Sequence, residues 1–374
     1  MTSQHCMDLL NSIRSSAGKA RTRGLSDEAV LKFLETDKDL ARAIEAAAAN
    51  RRKASPEEEK LYKMEEKDLC RLLQGKVLNF YNAASINHYA PLAAAGSWIV
   101  TSHGAVVHDS GGYGMLGMGH APEAVLKAMS EPYVMANVMT PSFSQHRLTD
   151  RLNRGIGRAR GGCPYDKFVF LNSGSESVTF ACRVADIHAR TMTDPGGKQA
   201  GKKVMRLAVV EGFHGRTEGP ARTSHSCRAA YVKHLASYRD ADNLLFVPIN
   251  DLAALRRTFA DAGKNGIFFE AFFVEPVMGE GIPGLGLARE YYDEARALTA
   301  KMGSLLVVDS IQAALRAQGC LSIVDYKGYE TCVPPDMETF SKALNAGQYP
   351  LSVIAMSGPA AAKYVPGTYG NTMT

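Results

Sequence analysis

Apolar runs that suit buried strands alternate with amphipathic stretches from about residue 155 to the end of the chain. The runs are Lys167–Leu171, Val204–Val210, Ala271–Val274 and Leu305–Val308, with helical stretches such as Glu290–Met302 between them. Strands that alternate with helices predict a mostly parallel sheet covered by helices on both faces. We therefore expect an α/β fold whose ligands bind beyond the carboxyl ends of the strands.

The first 76 residues have a helical pattern, and their clearest signal is a helix start at Ser55. Pro56 follows as a first helical residue, and Glu58 completes a capping box. Leucine and methionine residues then recur at near-helical spacing until Gly75. We predict three parts in the chain, which are a helical N-terminal extension over 1–76, a lobe of short strands and glycine turns over 77–154, and a large α/β domain over 155–374.

The composition is ordinary for a soluble globular protein of 374 residues, with 45% hydrophobic and 22% charged residues. A formal charge of +5 is small for this length and does not indicate the basic stripe that nucleic-acid binding requires. No apolar run approaches the length of a membrane span. We expect neither nucleic acid nor a membrane as a partner.

The seven cysteines are an odd number, lie far apart and form no Cys-x-x-Cys pair. This pattern favours a reducing compartment over a disulfide framework or a zinc site, so we expect no metal. The N-terminus also lacks the apolar core of a secretion signal. We expect a cytoplasmic protein, with a mitochondrial presequence as the alternative because basic residues and serines lie near the N-terminus.

A turn of small residues follows the strand-like run that ends at Leu171. The segment Asn172-Ser-Gly-Ser-Glu176 leads from this strand into a helical stretch. Free backbone N–H groups and the positive end of a helix favour a phosphate there, and Gly174 would let it approach closely. The alternative is an ordinary strand-to-helix turn with Ser175 as the helix cap.

Two charged residues lie in settings that are unusual for their charge. Asp309 follows the buried run Leu305–Val308 and is either a helix cap or a carboxylate that keeps a pyridine nitrogen protonated. Lys342 lies among apolar and small residues, although most lysines are solvated. A desolvated amine loses its proton more readily and can attack an aldehyde to form a Schiff base.

Five motifs, in this order along the chain, resemble those of the class III (omega-amino) aminotransferases. They are N-S-G-S-E at 172–176, F-H-G-R-T at 213–217, V-E-P-V-M-G-E-G at 274–281, D-S-I-Q at 309–312 and S-K-A-L at 341–344. The resemblance extends from about Gly96 to the last residue. It implies a fold-type-I enzyme whose large domain binds pyridoxal 5′-phosphate (PLP).

The resemblance also implies how the matched residues bind this cofactor. Its phosphate is held by Ser173, Gly174 and Ser175, its ring packs between Phe213 and Ile311, and His214 and Gln312 line its pocket. Asp309 pairs with the pyridine nitrogen. Lys342 forms the Schiff base and then serves as general base and acid.

On the substrate side, the resemblance places Arg216, Glu275 and Glu280. Arg216 is the candidate for binding a substrate carboxylate, because a planar two-pronged donor suits that group. Thr368 is expected to reach the phosphate of the neighbouring subunit, with Thr372 as the fallback. A site shared in this way predicts a homodimer.

The implied reaction moves an amino group from an amine or amino acid to a 2-oxo acid through Lys342. The alternatives are a mutase, racemase or decarboxylase of the same family, or a truncated homologue without catalytic activity.

Two departures from the family pattern accompany this prediction. Ser310 replaces the glutamate that the family usually has after the aspartate, and the chain ends at Thr374, before the C-terminal small domain that relatives have. A separate G-x-G-x-x-G pattern at 112–117 is expected to be a glycine-rich turn, because no βαβ unit follows it.

Overall fold

The structure is a computed structural model, and it describes residues 2–111, 114–133, 139–239 and 243–370. The chain divides into two compact units, Met1–Pro132 and Tyr133–Thr374. Each unit has a hydrophobic core of its own.

The first unit combines helices with a small antiparallel sheet of order β1-β2-β3. Its elements are α1 (Ser3–Ser16), α2 (Asp27–Leu34), α3 (Lys38–Arg52), α4 (Pro56–Tyr62), α5 (Glu66–Gln74), β1 (Pro91–Ala95), β2 (Trp98–Thr101), β3 (Val106–His108) and α6 (Glu123–Met129). The core joins Leu10 of α1 and Ile44 of α3 to Trp98 of β2. Helices of the predicted extension and strands of the predicted lobe thus share one core. The predicted three-part division stays a prediction.

The predicted helix start at Ser55 is confirmed, because its side chain and that of Glu58 form the capping box of α4. The helical pattern up to Gly75 is, however, interrupted between α4 and α5. There Tyr62 O accepts a hydrogen bond from Gly18 N, and Glu66 N donates one to Lys19 O. Backbone groups that bind another segment cannot also continue a helix, which explains the break.

The second unit is built on a sheet of order β4-β10-β9-β8-β7-β5-β6. Its elements are α7 (Phe143–Gly155), β4 (Lys167–Leu171), α8 (Gly174–Thr193), β5 (Lys203–Val209), α9 (Glu218–Thr223), α10 (Arg228–His234), β6 (Leu244–Val247), α11 (Leu252–Lys264), β7 (Ile267–Val274), α12 (Arg289–Met302), β8 (Leu305–Asp309), β9 (Met337–Phe340), β10 (Ser352–Met356) and α13 (Gly358–Ala361). Only β10 pairs antiparallel with its neighbours among these strands. The predicted α/β class is confirmed.

Helices cover both faces of this sheet, as consecutive residues of β8 show. Val307 packs in the same cluster as Val178 of α8, whereas Val308 packs in the cluster that contains Tyr291 of α12. Both valines are fully buried. Within the described ranges, no helix is both long and apolar enough to cross a membrane.

One helix was not foreseen, because residues 77–154 were expected to form short strands and turns. Ser142 caps α7 through its hydroxyl, which accepts a hydrogen bond from Ser144 N. Leu148 and Leu152, four residues apart on one helix face, pack on the core of the second unit. The polar residues between them concealed this pattern.

Candidate active site

The carboxyl ends of five strands of the second unit lie at one edge of its sheet. β5, β7, β8 and β9 are parallel, and β4 has the same direction because β10 runs antiparallel to both β4 and β9. The five motifs lie at or within four residues of the carboxyl ends of these five strands. The sheet topology therefore brings together segments that are far apart in sequence.

A capping box fixes the turn between β4 and the N-terminus of α8. Glu176 Oε2 accepts hydrogen bonds from Asn172 N at 2.7 Å and Ser173 N at 3.0 Å, and Ser173 Oγ accepts one from Glu176 N at 3.4 Å. The cap is thus Ser173, and the alternative that Ser175 caps the helix is wrong. Ser175 has another contact, because its hydroxyl accepts a hydrogen bond from Arg216 N at 3.3 Å.

Gly174 lies directly against Ile311, the residue expected to pack on the cofactor ring. A Cβ atom at position 174 would be 2.6 Å from Ile311 Cδ1. Gly215 is similarly close to Ser175, since a Cβ there would be 2.4 Å from Ser175 Oγ. The glycines therefore let the segments after β4, β5 and β8 meet without side chains between them.

Asp309 and His214 form a fully buried pair at the base of the site. His214 Nδ1 lies 2.9 Å from Asp309 Oδ2, and Asp309 Oδ1 accepts hydrogen bonds from Ile311 N and Thr339 Oγ1, each at 3.1 Å. Burial alone would lower the pKa of His214, but the hydrogen bond and the charge of Asp309 outweigh it and raise the pKa. Asp309 therefore favours the protonated form of His214.

Glu275, the residue after β7, joins two loops of the site. Its Oε1 accepts a hydrogen bond from Phe213 N at 2.9 Å and its Oε2 accepts one from Gly279 N at 3.1 Å. Burial raises the pKa of Glu275 to about 7, and the charge of Asp309 adds to this shift whereas His214 opposes it. Glu275 thus titrates near neutral pH while it holds the loop of Phe213.

Lys342 begins a short 3₁₀ turn, Lys342–Asn345, just after β9. Burial lowers the pKa of its amine, and the negative charges of Asp309, Glu280 and Glu275 oppose that shift. The amine is therefore near the carboxylates of the site and loses its proton more readily than an exposed lysine. Its backbone has a φ of 47°, in the left-handed region that side chains rarely adopt.

Arg216 and Glu280 lie at the rim, where both side chains remain more than a third exposed. Arg216 Nη2 is 3.7 Å from Glu280 Oε1, and the guanidinium carbon is 5.4 Å from the ring centre of Phe213. A water-exposed pair of this kind is weak and can open for a ligand.

Gln312 and Thr368 occupy very different environments. Gln312 is buried against Gly279, and its Nε2 has no hydrogen-bond partner within the ranges that the structure describes. Thr368 is exposed and its hydroxyl donates to Val365 O at 2.6 Å. The role predicted for Thr368 involves a second subunit, and Thr372 lies outside the described residues. Both roles stay predictions.

Sequence reasoning missed the buried carboxylate of Glu338 on β9. Glu338 Oε1 accepts a hydrogen bond from Ser310 Oγ at 2.5 Å, so a carboxylate does lie beside position 310, although it comes from the neighbouring strand. A glutamate inside the four-residue strand Met337–Phe340, whose two end residues are apolar, was the signal that could have revealed it. His214 was expected only to line the pocket, and its pairing with Asp309 was not foreseen.

Other candidate residues have structural partners. His120 Nε2 lies 2.9 Å from Asp109 Oδ2 within the first unit. Gly112 and Tyr113 of the G-x-G-x-x-G pattern lie outside the described residues. The seven cysteines are free, and the described ranges contain no cluster of three or more histidine, cysteine or acidic residues that could hold a metal.

Comparison with known proteins agrees with the motifs. The family model "Aminotransferase class-III" matches residues 81–374. The acetylornithine aminotransferase of Neisseria meningitidis serogroup A is 30% identical over 288 residues, which make up 75% of this chain and 65% of that protein. The ornithine aminotransferase of Staphylococcus epidermidis strain ATCC 12228 is 27% identical over 307 residues. These residues make up 79% of this chain and 71% of that protein.

Solved structures share the fold. The ornithine aminotransferase of Toxoplasma gondii aligns with a TM-score of 0.65 and 21% identity over 85% of this chain and 69% of that one. The acetylornithine aminotransferase of Elizabethkingia anophelis aligns with a TM-score of 0.60 and 18% identity. That alignment covers 82% of this chain and 68% of the other. This chain spans about 65% of the length of the Neisseria relative. It belongs to the class III aminotransferase family.

Proposed function

We propose that the protein is an aminotransferase that moves an amino group from an amine or amino acid to a 2-oxo acid. The family depends on PLP. The observation that carries the proposal is the position of the Lys342 amine, partly buried and near Asp309, at the sheet edge where the N-terminus of α8 also lies.

The residues of the site fit PLP. The α8 N-terminus, with Gly174 and Ser175, would hold the phosphate. Phe213 and Ile311 would pack on the ring, and Asp309 would pair with its nitrogen. The unpartnered Nε2 of Gln312 supports a polar ligand atom in this pocket, because buried polar atoms are rarely left without a hydrogen bond.

When bound, PLP supplies an electron sink for the carbon next to the amino nitrogen of the substrate. His214, Ile311 N and Thr339 donate hydrogen bonds to Asp309 and hold its side chain in a fixed orientation. Lys342, with its lowered pKa, can take a proton from the substrate carbon and return it. Glu275 holds the backbone of Phe213 in place during these steps.

Arg216 would bind the carboxylate of the substrate by exchanging its weak pairing with Glu280 for a charge-assisted hydrogen bond. The relatives named for ornithine and acetylornithine support a donor that carries both a carboxylate and a distal amine. We also place Thr368 at the phosphate of a partner subunit, which makes the functional unit a homodimer. A cytoplasmic location remains part of the proposal.

The test combines chemical labelling with turnover. The protein is loaded with PLP, reduced with borohydride and digested, and the modified peptide is identified by mass spectrometry. We expect the label on Lys342 and none in Lys342→Ala. A label on another lysine, with Lys342 unmodified, contradicts the proposed site.

Incubation with ornithine or acetylornithine and 2-oxoglutarate then tests the reaction. Transamination converts bound PLP to its aminated form and produces glutamate. A mutase, racemase or decarboxylase would consume the donor without producing glutamate. A chain that binds PLP but leaves every donor unchanged contradicts the proposed activity.

A further inference from the structure

We infer that Glu338 is a positioning residue that holds the segment 309–312 in place from behind, so that Asp309 and Ile311 face the cofactor correctly. This inference rests on the proposed function, since it concerns how the same site binds PLP. In this chain, Glu338 of β9 would supply the carboxylate that the family usually has at position 310.

The carboxylate of Glu338 is fully buried and receives four hydrogen bonds. Oε1 accepts from Ser310 Oγ at 2.5 Å and Ile323 N at 2.9 Å, and Oε2 accepts from Ser322 Oγ at 2.5 Å and Tyr165 Oη at 2.6 Å. The donors come from three separate segments, which are the end of β8, the turn at 322–323 and the segment before β4. One carboxylate thus joins three parts of the unit.

The register of β8 and β9 explains how this group acts on the site. Val308 lies beside Glu338 and Asp309 lies beside Thr339. Side chains alternate across a strand, so Thr339 points to the face of Asp309 and donates to its Oδ1 at 3.1 Å, whereas Glu338 points to the opposite face and holds Ser310. The two neighbouring residues of β9 therefore fix Asp309 and Ser310 from opposite sides of the sheet.

Loss of this carboxylate would leave four buried donors without their acceptor and release Ser310. Asp309 and Ile311 flank Ser310 directly, and Ile311 is the residue against which Gly174 packs. Movement of Ser310 would therefore disturb the contacts proposed for the ring nitrogen, the ring face and the phosphate together. The expected effect is on cofactor binding as well as on stability.

The matched control is Asp336, another carboxylate, which lies immediately before β9. Its Oδ2 accepts from Leu306 N at 2.8 Å, at the start of β8, and it pairs with Arg296 at 2.7 Å. Asp336 thus joins β8 and β9 at the end opposite to the site. Its replacement by alanine should destabilise the sheet without changing PLP affinity.

The experiment measures PLP dissociation constants by absorbance titration, with urea unfolding of each apo variant alongside. We expect Glu338→Ala to weaken PLP binding by about tenfold, whereas Asp336→Ala stays within about twofold of wild type at comparable loss of stability. The pH midpoint of the bound-cofactor absorption band should move in Glu338→Ala only. Unchanged affinity and midpoint in Glu338→Ala, or equal losses in both variants, overturn the inference.

An exchange of the two residues keeps the test decisive if Glu338→Ala does not fold. Ser310→Glu/Glu338→Ser places a carboxylate in the same pocket from the neighbouring strand. We expect it to bind PLP more tightly than Glu338→Ser alone. A double variant no better than Glu338→Ser overturns the inference. Wild-type protein that binds no PLP overturns the proposed function as well, whereas normal wild-type binding with unaffected variants overturns only the role of Glu338.

Discussion

Glu275 illustrates why a carboxylate rather than an amide follows β7. Both of its oxygens accept hydrogen bonds from backbone N–H groups, of Phe213 and Gly279. A glutamine would present an NH₂ group to one of these donors and lose that hydrogen bond. Burial nevertheless disfavours the negative charge of Glu275 and raises its pKa to about 7, and the charge of the neighbouring Asp309 adds to this shift.

This pKa gives the stability of the apo protein a pH dependence of defined sign. Because the folded pKa of about 7 exceeds the ordinary value of 4.5, proton binding stabilises the folded state. Proton binding at Glu275 contributes roughly 3 kcal/mol to the free energy of unfolding. This contribution is fully present below pH 4.5 and is lost as the pH rises through 7. The free energy of unfolding of wild type, measured by urea denaturation, should therefore fall between pH 5 and pH 8 relative to that of Glu275→Gln, which does not titrate at this position. An equal difference in unfolding free energy between the two proteins at pH 5 and at pH 8 contradicts the raised pKa of Glu275.

Lys342 has a backbone conformation that costs energy in any residue except glycine. Its φ is 47°. The free energy of unfolding of Lys342→Gly should therefore be roughly 0.5–1 kcal/mol higher than that of Lys342→Ala, as measured by urea denaturation of the apo proteins. Ala343, next in the turn, is not among the residues with positive φ, so Ala343→Gly should be destabilising and serves as the control. Equal stability of the two Lys342 variants would contradict backbone strain at this position.

The sequence was sufficient to predict that the five motif segments lie together, because each lies at the end of a strand and parallel strands end at one edge of the sheet. It did not predict what holds them. Asp309 pairs with His214, 95 positions away in the chain, and Ser310 pairs with Glu338, 28 positions away. Such pairings depend on sheet order and on which face a side chain occupies, so the local pattern that singles out Glu338 as a glutamate within a strand does not identify its partner.

The helices α4 and α8 begin with the same capping box, but only α8 begins at the proposed phosphate site. Ser173→Ala should cost about 1 kcal/mol of stability and also weaken PLP binding, because the first turn of α8 would lose its fixed geometry. Ser55→Ala should cost a similar amount and leave PLP affinity unchanged. Thermal unfolding and absorbance titration of both variants test this. Equal PLP affinities would show that the cap does not contribute to the anion site.

Elements with strong local signals agreed with the sequence. The run Lys167–Leu171 is β4 with the same bounds, and Glu290–Met302 differs from α12 by one residue at its start. The helix α7 and the break between α4 and α5 were not predicted. The pattern of α7 rests on only two core leucines, and the break depends on hydrogen bonds with residues 18–19. Tertiary contacts decided both.

The proposed shared site makes a prediction about mixtures of inactive subunits. Lys342→Ala lacks the amine, and Thr368→Ala lacks the proposed phosphate contact to the partner. After mixing and subunit exchange, random pairing should give complete sites at about one quarter of the wild-type number. Transamination at a PLP concentration too low for Thr368→Ala alone measures this recovery.

The control for this mixture replaces Thr368→Ala with the double variant Lys342→Ala/Thr368→Ala, which can supply no complete site. No recovery of activity in the first mixture, despite proven subunit exchange, would place Thr368 outside the shared site.

Trp98 is the single tryptophan of the chain, and it lies buried in the first unit with its indole N–H bonded to Asp37 Oδ2 at 2.7 Å. The fluorescence emission of Trp98 therefore follows the unfolding of the first unit alone, without any engineered probe. The absorbance of bound PLP would follow the second unit. Each unit has its own hydrophobic core. We therefore expect bound PLP to raise the temperature at which its absorbance is lost on heating, and to leave the temperature of the tryptophan emission transition unchanged. Tryptophan emission and PLP absorbance would thus follow the unfolding of the two units separately.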